Sequence, residues 1–112
     1  MGVLGILFSM SCFAQSEAEH DKAGDLVEYI KKESVGGKLD FQLKLEDNKL
    51  YAHDGVAYIK KDFAILLWGQ AVKRLGVQSS KDAIKLWIEI NGRGLTEAEK
   101  KALVKGFKMK SK

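Results

Sequence analysis

Apolar and polar positions alternate along this chain with two different periods. Ala23, Leu26, Val27 and Ile30 recur at the three- and four-residue spacing of one helix face. Upstream, Ser16-Glu17-Ala18-Glu19 has the form of a capping box, in which a hydroxyl and a carboxylate each satisfy the other's free backbone amide. Asp25 offers a second start for this helix, and Gly36-Gly37 offers its stop. The period then changes to two. Leu39, Phe41, Leu43 and Leu45 alternate with Lys38, Asp40, Gln42 and Lys44, which predicts a half-buried strand. Residues 46–49 read as a tight turn, Leu50 to His53 as a second strand, and Val56 to Lys60 as a third. Asp54-Gly55 between them suits a type I′ hairpin, which needs positive φ at both central residues. A single long second strand with a bulge at Gly55 is the competing reading.

Helical spacing returns after Asp62, a candidate cap for a helix from Phe63 to Leu75. Residues 63–68 are apolar all round, so this helix is buried on several sides or covered by another molecule, a second copy of the chain included. Gly69 inside it permits close approach of another element at a cost of about 1 kcal/mol relative to Ala. Gly76 ends it, and Ser79 or Ser80 caps a third helix with Ile84, Trp87 and Ile88 on its apolar face. Residues 91–94, with two glycines, stop that helix. Thr96-Glu97-Ala98-Glu99 forms another capping box, opening a last helix with Ala102, Leu103 and Phe107 turned inward. The expected fold is α+β: an N-terminal helix, a small antiparallel β-meander of two or three strands, then three helices packed on one side of the sheet. Helix 1 and the helix from Phe63 are the natural covers of that sheet.

The first fourteen residues carry no charged side chain and end in Cys12-Phe13-Ala14 before a charge-rich chain. This is the pattern of a secretory signal peptide cut between Ala14 and Gln15, leaving residues 15–112 as one domain. No Lys or Arg precedes the apolar run; the alternative is an apolar segment retained in a cytoplasmic protein. A transmembrane anchor is not expected, because a span needs about 20 apolar residues. Cys12 is the only cysteine, so the mature chain would hold no thiol, which excludes zinc-finger, iron–sulfur and thioredoxin-like classes.

Charge is uneven. Residues 17–59 hold six lysines against ten carboxylates, a balance of −4, whereas residues 60–112 hold thirteen Lys and Arg against five carboxylates, a balance of +8. A basic half of this kind suits an anionic partner or a solvated surface. Candidate contact residues are Lys73, Arg74, Lys85, Trp87 and Arg93, the last two because an aromatic anchor beside an arginine marks many binding surfaces. No metal site and no cofactor is implied. His20 and His53 without cysteine make a poor ligand set, and no glycine-rich phosphate loop is present.

These features lead to a small exported, non-enzymatic binding protein of the bacterial envelope, periplasmic or secreted, whose basic helical half meets a protein partner or an anionic surface. Residues 71–90 also resemble a helix-turn-helix in order, with helix, Gly-Val turn, polar cap and second helix, which makes a DNA-binding regulator the alternative. Nucleic acid is disfavoured because Lys81, Asp82 and Lys85 are poor readers of base edges. A small hydrolase using the adjacent His53 and Asp54 is a third reading, without a nucleophile to complete it.

Overall fold

The computed structural model describes residues 24–109. The described part of helix α1 covers 24–34, and a 3-10 turn follows at Phe41–Lys44. Strands β1 (Tyr51–His53) and β2 (Val56–Tyr58) lead to helices α2 (Lys60–Leu75), α3 (Ser80–Asn91) and α4 (Glu97–Lys108). The class is α+β, with one two-stranded antiparallel sheet among the described residues. The uncharged leader, the Ser16–Glu19 box, His20 and Ala23 lie outside the described residues.

The strand expected over residues 39–45 is not formed. Leu39 is buried and Phe41 partly so, but Leu43 is 69% exposed. Local bonding wins over the alternating pattern. The Asp40 carboxylate accepts from the Gly36 amide at 2.8 Å, and the Asp40 carbonyl accepts from the Leu43 amide at 3.2 Å. Short acidic side chains compete with sheet ladders in this way. Lys44 Nζ closes the loop by donating to the Lys38 carbonyl at 2.8 Å.

The hairpin turn is as expected. Asp54 has φ 52° and Gly55 φ 75°, and the register pairs His53 with Val56 and Tyr51 with Tyr58. Tyr51 stacks on Phe63 of α2, with centroids 5.0 Å apart and planes 7° apart. Lys105 of α4 reaches Asp54 at 2.7 Å. The small sheet is therefore pinned to α2 and α4 at two points.

Helix α2 begins earlier than expected, at Lys60. Asp62 is a first-turn acid rather than the cap, and the cap position is Ile59, whose carbonyl accepts from Phe63 at 2.9 Å. Ala64, Ile65, Leu66, Trp68 and Gly69 are buried within the chain, so packing inside the domain accounts for the all-round apolar segment. That removes the reason to place a second copy against it.

The neighbour that covers much of α2 is α4. Lys61 meets Glu99 near the start of both helices, and Lys73 lies over the Phe107 ring near their ends, so the two run parallel. At the crossing, a Cβ on Gly69 would stand 2.5 Å from the Leu103 carbonyl oxygen, and one on Gly106 would overlap the Leu66 carbonyl. Only glycine permits this backbone approach. The core assembles around it from Ile30, Leu39, Trp68, Val72, Leu86, Leu103 and Phe107. Trp68 Nε1 donates to Ser34 Oγ at 2.8 Å and ties α2 to the end of α1.

The third helix is rotated relative to expectation. Ala83, Leu86 and Trp87 are buried, while Ile88 is 38% exposed. Ser79 is the cap, its hydroxyl accepting from the Asp82 amide at 3.2 Å. Among the described residues no helix is long and apolar enough to cross a membrane.

Candidate functional site

A concave surface lies between α1 and α3. Its described lining comes from Asp25, Leu26, Val27 and Tyr29 of α1, from residues 75–78, and from Asp82, Lys85, Leu86 and Glu89 of α3. The groove measures about 820 Å³ and is mainly apolar. Local sequence explains its floor. Leu26 and Leu86 pack against or within the core, and Val77 is drawn in by the end of α2. There the Gly76 amide donates to the Lys73 carbonyl at 3.1 Å and the Val77 amide to the Val72 carbonyl at 3.0 Å, the paired bonds of a Schellman stop. Gly76 takes φ 124° to make that turn.

The walls keep apolar surface in water. Val27, Tyr29 and Leu75 are all exposed by a third or more. Charged groups stand around them, with the carboxylates of Asp25, Asp82 and Glu89 against the single ammonium of Lys85. Lys31 reaches Glu89 across the gap at 3.2 Å and partly offsets that excess. The groove thus combines an apolar floor with an acidic rim inside a chain whose second half is basic overall.

A second feature is polar and internal. Glu99 is fully buried at the start of α4. Arg93 grips it with two parallel bonds, Nη1 to Oε1 at 2.9 Å and Nη2 to Oε2 at 2.8 Å. The Thr96 amide donates to Oε1 at 2.8 Å, and Lys61 Nζ sits 3.1 Å from Oε2. The capping box is complete, since the Thr96 hydroxyl accepts from the Glu99 amide. The Arg93 guanidinium, above all, holds the Glu99 carboxyl well below the usual carboxylate range; Thr96 and Lys61 add to that, against the opposing effect of burial. A carboxylate so fully engaged joins α2, the α3–α4 loop and α4, and is a poor proton acceptor.

The five sequence-derived contact residues do not form one patch. Trp87 is buried in the core, and Arg93 lies over its ring at 4.8 Å while holding Glu99. These two do meet, with Trp87 buried and the exposed Arg93 covering its ring. Lys73 is spread over Phe107 at the end of α2 beside exposed Arg74, and Lys85 stands in the groove among carboxylates. His53 Nε2 lies 3.7 Å from Asp54 Oδ2, but Asp54 is shared with Lys105. Among the described residues no group of three or more His, Cys, Asp or Glu is placed to hold a metal ion.

The order helix, turn, helix over residues 71–90 is present. The outward side of α3 nevertheless contributes Asp82, Lys85 and Glu89 to the groove wall facing α1. Sequence reasoning missed the groove itself, since each wall taken alone shows only scattered apolar residues beside charged ones. Comparison with protein-family models, curated proteins and solved structures gives no match.

Proposed function

We propose that the protein is a small exported, non-enzymatic binding domain that holds a segment of a partner protein in the groove between α1 and α3. The observation that carries this reading is the juxtaposition of an open apolar floor with the rim carboxylates of Asp25, Asp82 and Glu89, the last paired with Lys31, and with Lys85 between them. Apolar surface of this kind drives association, and the rim selects by charge. The complementary partner is an amphipathic helix with an apolar face flanked by Lys or Arg, docked as helix in groove. Export rests on the uncharged leader that ends at Ala14. The DNA-binding alternative draws on the order of α2, turn and α3, but the outward side of α3 that it would place in a DNA groove mixes Asp82 and Glu89 with Lys85 and has no side chain suited to reading base edges.

Two measurements test the proposal. Intact mass of protein from its native host should correspond to a chain beginning at Gln15; a retained Met1 or Gly2 contradicts export. A labelled leucine–lysine amphipathic peptide should bind the protein, and Val27→Ser with Leu75→Ser, which leave the rim charge unchanged, should weaken it by about tenfold or more, the loss expected from two apolar contacts. Both residues are partly exposed, so the variant retains its fold. Equal affinity for the variant and the parent contradicts the groove as the site.

A further inference from the structure

Helix α4 has a second face. Its inner side buries Glu99, Ala102, Leu103, Gly106 and Phe107. Its outer side carries Lys100, Lys101, Lys105 and Lys108 around Val104, with Glu97 the one acid in that group. Lys105 is paired with Asp54. Among the described residues, Lys100, Lys101 and Lys108 enter no ion pair with a carboxylate. At 1.5 Å per residue the row from Lys101 to Lys108 is about 10 Å long, so its charges act together over a screening distance of about 8 Å.

We propose that this outer face of α4 is an electrostatic docking surface for anionic lipid headgroups. Charge complementarity with phosphate is the first argument, since rows of lysine on a helix are the chemistry that attracts acidic membrane surfaces. The side-chain type is the second. Lysine presents a mobile point charge on a long apolar stem, which lies along Val104 while the ammonium reaches a headgroup. No Arg, Asn, Gln or aromatic side chain stands in the row to grip base edges or stack on bases, which separates it from a nucleic-acid surface. None of its residues lines the α1–α3 groove, so the domain can rest on a membrane and hold its partner at once.

Co-sedimentation of the mature domain with vesicles tests this directly. Phosphatidylcholine vesicles containing phosphatidylglycerol should retain the protein at low salt, and pure phosphatidylcholine vesicles should not. Lys101→Glu with Lys108→Glu should lower partitioning by about tenfold or more, since each lysine near an acidic surface contributes severalfold. Lys32→Glu with Lys38→Glu makes the same change in net charge elsewhere and should leave partitioning within about twofold. Both pairs are exposed, and circular dichroism checks their fold. The proposal is overturned by equal binding to neutral vesicles, by no binding at low salt, or by equal losses in the two charge-reversed variants. Tighter binding to duplex DNA than to acidic vesicles also overturns it. The result is independent of the groove, since peptide binding is read separately.

Discussion

Gly69 of α2 and Gly106 of α4 each sit against the other helix's backbone, Gly69 at the Leu103 carbonyl and Gly106 at the Leu66 carbonyl. Two glycines inside helices cost about 1 kcal/mol each relative to alanine. The cost is offset by a backbone approach that lets α2 and α4 close over Val72, Leu103 and Phe107. Gly106→Ala gains helix propensity and forces the helices apart. Overpacking of this kind costs about 1–3 kcal/mol, so the denaturation midpoint should fall. An unchanged or raised midpoint would show that the helices are not in such contact.

The 3-10 turn makes two leucines unequal. Leu39→Ala should cost about 2–4 kcal/mol, as a buried leucine does, whereas Leu43→Ala should stay within about 0.5 kcal/mol. Urea unfolding of both variants measures the difference. Comparable losses at the two positions would restore the alternating strand and contradict the turn.

These two residues also show where sequence reasoning reached its limit. The Thr96–Glu99 capping box, the Asp54-Gly55 turn and the close approach at Gly69 were legible because each depends on neighbours in sequence or on one residue's lack of a side chain. The apolar alternation of residues 39–45 was misleading, because it carries no information about whether a partner strand is available. Asp40 settles the matter by bonding to Gly36, four residues back. The bond from Arg93 to Glu99 was not legible, since that carboxylate lies six residues further on and is buried only once α4 packs on α2. The groove was illegible for a related reason. Leu26, Leu75 and Leu86 belong to three separate helices, and only tertiary packing sets their exposed neighbours face to face.

Glu99 should shape the acid limb of the stability curve. Its carboxyl is held below the ordinary value of 4.5 in the folded state. A depressed folded pKa adds stability that is in force above the unfolded value and is lost as pH falls through the folded one. Stability should therefore decline as pH drops below about 4.5, from protonation of this group among others. Glu99→Gln should lower stability at neutral pH and show a shallower decline over the same acid range. Acid limbs of equal steepness in the two proteins would contradict a strongly stabilised Glu99 carboxylate.

The most direct test of the account is where a partner settles. Amide chemical shifts of the protein, followed during titration with the leucine–lysine amphipathic peptide, report contact residue by residue. The groove account predicts shifts concentrated at Val27 and Tyr29 of α1, at Gly76 and Val77 of the turn, and at Lys85 and Glu89 of α3. Lys101 and Lys108 on the outer face of α4 should stay unmoved. Shifts centred away from the α1–α3 walls, or none at saturating peptide, would contradict it.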